Sequence, residues 1–248
     1  MHHNPNQNRG FLYGDGFFET MRVVNFTIPL WDLHMERAKR TAEYLEMDWL
    51  TGAEIEALRV QIGYGVVSES SILRVDFYRD GTGTYVPDQN NIKTSFDFRP
   101  AYFPNASFTL YKQEFEAALN LLPVTPAAIY SKVLKPCNTM SNYKTSSALW
   151  YVKAGLHLRS APHIEDLILL NEHNRVCEGL TSNVLIQKNK KWYGVAQEEG
   201  PIEGVYQRFL SDLIEINFGT ITTQQLRNAD CILLTNAALG IRKVELVG

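Results

Sequence analysis

Two residues of this sequence have the type and surroundings that reactive chemistry needs. Lys144 lies in Asn142-Tyr143-Lys144-Thr145-Ser146-Ser147-Ala148-Leu149-Trp150, among small and uncharged side chains. A lysine partly withdrawn from water deprotonates more readily, and its free amine can then attack a carbonyl carbon to form a Schiff base. Lys132, Lys135 and Lys153 are near it in sequence, and most lysines are solvated surface groups. Lys144 is preferred for its small neighbours and for its expected place at a loop-to-helix junction. Glu178 follows in Asn171-Glu172-His173-Asn174-Arg175-Val176-Cys177-Glu178-Gly179-Leu180-Thr181-Ser182-Asn183. A buried carboxylate needs a cationic partner. Either Arg175 or the protonated ring nitrogen of a bound cofactor would serve, and spacing does not separate the two.

Other groups suit an anion. Arg37, on a helix face, is a candidate phosphate ligand, with a surface pair to Glu36 or Glu43 as the plain alternative. Gly204-Val205-Tyr206 opens a helix, where free amides and the helix dipole attract negative charge. Thr235-Asn236-Ala237-Ala238 follows a strand and lets a ligand approach the backbone. Arg74 and Arg79 are candidates for a substrate carboxylate, with pairing to Asp76 or Asp80 as the alternative, and Phe18 joins them as a candidate substrate contact. The histidines show no metal-site spacing, and no GxSxG, P-loop or GxGxxG is present, so metal-dependent, hydrolase and dinucleotide chemistry lack their usual motif.

Elements must hold these groups in place. Gly14-Asp15-Gly16 forms a turn ahead of a strand. Trp31, Met35, Ala38, Ala42 and Leu45 make a helical stripe over 31–46, and Thr51 with Glu54 reads as a capping box. Alternation over Ser71–Arg79 predicts a strand with one wet face. Strands are also expected at 94–98, 107–111, 124–130, 166–171, 176–178, 182–187, 190–195, 231–235 and 241–247. Helices are expected from Lys144 to about Leu158 and from Val205 to Asn217. The irregular mixture points to an α+β fold. The prolines between Arg99 and Asn105 suggest two domains, 1–103 and 104–248.

Composition narrows the classes further. Of 248 residues, 45% are hydrophobic and 21% charged, with a net charge of −3, which favours neither nucleic acid nor an acidic membrane surface. Cys137, Cys177 and Cys231 form no CxxC pair, consistent with a reducing cytoplasm. No apolar run is long enough to span a membrane, and the polar start lacks a signal-peptide core.

The order of these segments resembles the class IV aminotransferases. The resemblance rests on Gly14-Asp15-Gly16-Phe17-Phe18-Glu19-Thr20, His34-Met35-Glu36-Arg37, Lys144, Glu178-Gly179-Leu180-Thr181-Ser182-Asn183-Val184, Gly204-Val205 and Asn236-Ala237, from about Arg9 to the end. This family of fold-type IV pyridoxal 5'-phosphate (PLP) enzymes includes branched-chain aminotransferase, D-amino acid aminotransferase and 4-amino-4-deoxychorismate lyase. It implies a two-domain, D-amino acid aminotransferase-like fold with PLP between the domains, a homodimer, and a small amino substrate. Lys144 would form the Schiff base and Glu178 would meet the pyridine nitrogen. Arg37 would bind phosphate together with amides around Val205, Tyr206, Asn236 and Ala237. Where the family usually has Gly-Ile-Thr-Arg, this chain has Gly204-Val205-Tyr206-Gln207-Arg208, so the arginine is absent from its usual place or displaced by one, and Glu203 precedes the stretch. The glycine-rich Tyr78–Tyr85 segment resembles the lyase members, which favours lyase chemistry over transamination.

Overall fold

The computed structural model describes residues 8–66, 68–103, 108 and 111–247. The chain divides into two compact units. One runs through Tyr102 and takes back Lys144–Ser147 from later in the sequence; the other holds Phe103–Tyr143 and everything from Ala148 onward.

In the first unit, helix α1 (Arg9–Tyr13) leads into strands β1 (Gly16–Val24), β2 (Ser70–Arg79) and β3 (Ile92–Pro100), an antiparallel sheet in the order β1-β2-β3. Between β1 and β2 lie helices α2 (Trp31–Tyr44) and α3 (Gly52–Gly65). The period-two alternation of strands sends Phe17, Met21 and Val23 of β1 and Leu73, Val75 and Phe77 of β2 to one face. There they meet Trp31, Met35, Ala38 and Ala42 of α2 and Leu58 and Ile62 of α3. The stripe read from the sequence is therefore the buried face of α2. Thr51 and Glu54 complete the expected capping box at the start of α3.

The free edge of β1 receives the returning segment. Phe18 N–H donates to Lys144 O at 3.2 Å and Ser146 N–H to Gly16 O at 2.9 Å, with Thr145 opposite Phe17. Lys144 is thus in an extended segment and does not open a helix. Helix α5 begins later, at Leu149, and runs to Gly155. Three successive small polar residues, Thr145, Ser146 and Ser147, explain the difference, because their hydroxyls compete for backbone groups and disfavour helix. Gly14 permits the close approach. It ends α1 with φ +69°, and a side-chain carbon there would stand 2.6 Å from Ser147 Oγ.

The second unit is an eight-stranded mixed sheet. Its strands are β4 (Val124–Lys135), β5 (Asp166–Asn171), β6 (Val176–Gly179), β7 (Asn183–Lys188), β8 (Lys191–Val195), β9 (Ile216–Gly219), β10 (Cys231–Asn236) and β11 (Gly240–Leu246), in the order β6-β5-β4-β11-β10-β7-β8-β9. Pairings β4–β5, β4–β11 and β8–β9 are parallel and the others antiparallel. One face carries Ile168, Leu170, Val184, Ile186, Ile232, Leu234 and Val244. It packs with Ile221 and with Leu226 of helix α7 (Thr223–Arg227).

Two elements differ from the sequence expectation in this unit. Helix α4 (Lys112–Leu121) follows Tyr111, where a strand over 107–111 was expected; residues 107, 109 and 110 of that strand lie outside the described residues. Helix α6 spans only Val205–Leu213, because Ile214 is already extended. The following Ile216–Gly219 pairs in parallel with β8, in keeping with its β-branched and glycine residues, which favour strand or turn over helix. Among the described residues no helix is long and apolar enough to cross a membrane.

Candidate active site

The second unit gathers its polar groups on the sheet face opposite the α7 side. In β5, Ile168 and Leu170 belong to the α7-side core, so the intervening Leu169 points the other way, and Glu178 stands opposite Leu169 in β6. In β10, Ile232 and Leu234 face the core, so Thr235 faces away, and it pairs with Asn183 at the start of β7. The register thus puts Glu178, Asn183 and Thr235 on one surface.

Glu178 is 3% exposed. Its Oε1 accepts from the Lys135 ammonium and from Tyr151 O–H at 2.6 Å, and its Oε2 accepts from Ile202 N–H at 3.0 Å. Lys135 itself is 1% exposed, its ammonium lying 5.4 Å from the centre of the Tyr151 ring. Burial, reinforced by the Glu178 charge, pushes the Tyr151 phenol far above its ordinary range, so Tyr151 stays protonated and donates. The partner weighed for Glu178 from sequence, Arg175, instead bonds Glu199 at 2.7 Å.

A cradle for an anion adjoins this carboxylate. Helix α6 starts at Gly204, which offers no side-chain cap, so the first turn at Val205 and Tyr206 carries the dipole's positive end. A side-chain carbon on Gly204 would fall 1.7 Å from Asn183 Oδ1, so the backbone approaches there only because the residue is glycine. Asn183 Nδ2 donates to Ile202 O at 2.7 Å, tying β7 to the segment that also serves Glu178. The hydroxyls of Thr235 and Ser182 are buried without a hydrogen-bond partner, a state that asks for a bound acceptor or donor. Asn236 closes the β10–β11 turn, its Oδ1 accepting from Ala238 N–H at 3.1 Å and Leu239 N–H at 2.6 Å, with Ala237 between. Gln207, where the family usually carries arginine, is buried in α6.

The first unit brings together a second set. The Lys144 ammonium lies 4.4 Å from the centre of the Phe18 ring, and the Arg74 guanidinium carbon lies 3.7 Å from the same centre. Two cations therefore meet one aromatic ring. Arg74 also pairs with Asp76 at 2.6 Å, the alternative weighed from sequence. Arg79 does not join them. It bonds Asp15 at 3.1 Å, Asn90 Oδ1 at 2.6 Å and the carbonyls of Leu45 and Glu46, which gives it a structural use at this place.

Arg37 has a partner that the sequence reading missed. Its Nε donates to Glu19 Oε1 at 2.8 Å, and His34 Nδ1 meets Glu19 Oε2 at 2.6 Å, all three residues buried. Burial works against the Glu19 charge, but Arg37 and then His34 outweigh it and hold its pKa down at about 2. Burial also depresses His34, opposed by Glu19 and aided by the positive charges of Arg37 and Lys144. A carboxyl whose pKa is about 4.5 unfolded and about 2 folded adds stability above pH 4.5 that is lost as pH falls toward 2. By linkage this amounts to about 3 kcal/mol. His34, depressed from 6.5, adds acid sensitivity of the same sign below that pH. Urea unfolding at pH 7 and pH 3 is expected to show this loss in the native chain and a smaller one in Glu19→Gln. Equal losses would refute the assignment.

Sequence spacing suggested no metal site. The fold does bring donor atoms of Cys137, Glu172 and His173 within 4.8 Å of one another at a surface turn. Burial and the nearby carboxylates push the Cys137 thiol up, so it is held as a thiol. Sequence reading passed over Tyr151, weighed Lys135 only as a neighbour of Lys144, and gave no role to the side chains of Thr235 and Ser182. Their burial depends on register and carries no local signal.

Comparison with known proteins agrees with this architecture. The model of the amino-transferase class IV family matches residues 16–247. Aminodeoxychorismate lyase of Bacillus subtilis (strain 168) is 27% identical over 94% of this chain and 77% of its own. Among solved structures, 4-amino-4-deoxychorismate lyase from Pseudomonas aeruginosa superposes with a TM-score of 0.78 at 20% identity, over 97% of this chain and 86% of its own. A hypothetical aminotransferase from Mycobacterium tuberculosis in a PLP-bound form gives 0.78 at 16% identity, over 100% and 86%. The fold is that of the fold-type IV enzymes, and the chain belongs to the amino-transferase class IV family.

Proposed function

We propose that this protein is a PLP-dependent lyase that converts 4-amino-4-deoxychorismate into 4-aminobenzoate and pyruvate. The observation that carries the cofactor is the face holding Glu178. It joins a buried carboxylate, an uncapped helix start at Gly204 and an unpartnered Thr235 hydroxyl, which suit a ring nitrogen at one end and a phosphate at the other. The substrate assignment is supported by the match to the Bacillus subtilis lyase along nearly the whole chain. It also draws on Phe18 with Arg74 and Lys144, an aromatic ring beside two cations that suits a flat, anionic substrate.

PLP supplies an electrophilic carbonyl and an electron-withdrawing ring. The chain's own residues do the rest. Lys144 anchors the cofactor, takes a proton from the amino-bearing carbon of the substrate and returns one to the departing pyruvate. Glu178 would pair with the ring nitrogen. By the family resemblance, Arg37, the amides of Val205 and Tyr206, and the Asn236–Ala237 turn would serve the phosphate, and Phe18 and Arg74 the substrate. Arg79 supports that pocket indirectly, through Asp15 and the carbonyls it binds. In keeping with the family resemblance, we place the enzyme in the cytoplasm as a homodimer.

The family name itself sustains a second reading, transfer of an amino group between an amino acid and a 2-oxo acid. The two separate cleanly in one assay. Purified protein with PLP and aminodeoxychorismate, without any 2-oxo acid, is expected to release pyruvate. Turnover that appears only when an amino acid and a 2-oxo acid are supplied together would instead establish a transaminase.

A further inference from the structure

Among the described residues of the second unit, Lys135 is a buried cation to which the proposed reaction gives no task. It ends β4, and its carbonyl accepts from Glu172 N–H at 3.0 Å, which fixes the backbone beside β5. Its ammonium is almost wholly out of water and is spent on Glu178 Oε1, the same oxygen that takes the Tyr151 hydroxyl. Full desolvation of a lysine is costly unless it is paired, so a chain that needed only a carboxylate for a ring nitrogen gains nothing from burying this ammonium there. The other titratable groups near Glu178 are uncharged, since burial pushes both Tyr151 and Cys177 up and holds them protonated. Lys135 is therefore the cation bonded to this carboxylate.

We propose that Lys135 is a positioning residue that shares Glu178 with the cofactor's ring nitrogen, aiming the carboxylate and limiting how strongly it holds a proton on that nitrogen. The inference rests on the PLP reading above and goes beyond it. With the cofactor absent, Lys135 neutralises Glu178. With the cofactor present, the carboxylate faces two cationic partners, and the positive charge of Lys135 lowers the proton affinity of its neighbours. A residue bonded to the carboxylate beneath the ring nitrogen is also distinct from the residue at the aldehyde, because those two atoms stand at opposite ends of the ring. This keeps Lys135 apart from the role given to Lys144.

The test compares native protein, Lys135→Met, Lys135→Gln and Lys135→Arg, loaded with PLP and without substrate. The pH midpoint of the cofactor's visible absorption band is expected to rise by about one unit in the two uncharged variants and to stay near the native value in Lys135→Arg. Quenching of protein fluorescence by PLP at fixed pH is expected to report binding several-fold tighter in the uncharged variants, since the competitor for Glu178 is gone. Lys135→Gln keeps a hydrogen bond to Glu178 and covers the case in which Lys135→Met does not fold. An unmoved midpoint and unchanged affinity in a folded uncharged variant would overturn the inference and leave the PLP reading intact. A native protein that shows no visible band with PLP would overturn both.

Discussion

Lys144→Ala is expected to abolish the visible absorption band of protein incubated with PLP and to slow pyruvate release by at least about 10³-fold. The first effect follows because the amine that would anchor the cofactor is removed, the second because the same amine carries the proton. The geometry supports this residue over its neighbours. Lys132 and Lys153 are exposed, and Lys135 is committed to Glu178. Lys144 is half-buried against Phe18 on the free edge of β1. The variant should keep native stability within about 1 kcal/mol, since only a side chain on a partly exposed segment is lost while the backbone bonds to Gly16 and Phe18 remain. Persistence of the band in folded Lys144→Ala would assign the anchor elsewhere.

Glu178→Gln should show the largest loss of stability. The substitution keeps one acceptor oxygen, for either Tyr151 or Ile202, and leaves the Lys135 ammonium buried without its counterion, a change that costs about 3–5 kcal/mol. Turnover should fall as well, because the ring nitrogen would lose the carboxylate proposed to keep it cationic. Chemical denaturation of the cofactor-free protein reads the first effect apart from the second. Adding Lys135→Met to Glu178→Gln is expected to restore most of the stability and none of the activity, since the stranded charge is gone while the carboxylate stays absent. A double variant as unstable as the sum of its parts would mean that the pair is not coupled.

Much of the architecture could be read from local pattern. The α2 stripe from Trp31 to Ala42 and the Thr51–Glu54 box at α3 are signals within a few residues of one another, and both are present. The strand β2 and most strands of the larger sheet were legible for the same reason, as alternating or continuous apolar runs. Helix α4 was not. Only Phe115 and Ala118 are buried on it, and Tyr111 at its start forms no side-chain cap, so its sequence lacks both the stripe and the stop signals. Helix α6 was extended too far because Ile216 falls at helical spacing from Leu213, whereas parallel pairing with β8 claims it for a strand.

The candidate site divides along the same line. Glu178, Gly204 and Asn236 announce themselves through small residues at turns and helix starts. The Lys135–Glu178 pair does not, because its members are 43 residues apart and meet only after β4 passes a register shift between Tyr130 and Lys135. Glu19 was hidden for a different reason. It lies in the alternating pattern of β1 where an apolar residue belongs, and becomes intelligible only when His34 and Arg37 of α2 are seen beside it. Lys144 owes its position to strand addition at β1 rather than to a helix start, so its neighbours Thr145 to Ser147 serve the close approach to Gly14 and Gly16.

The most direct test of the central assignment is chemical trapping of the anchor. Protein loaded with PLP is reduced with borohydride, digested, and the pyridoxyl-bearing peptide is identified by mass spectrometry. The label is expected on Lys144, within the peptide that contains Thr145-Ser146-Ser147. A label on Lys135 would contradict the account, because the residue paired with Glu178 would then be the anchor and Lys144 would need another role.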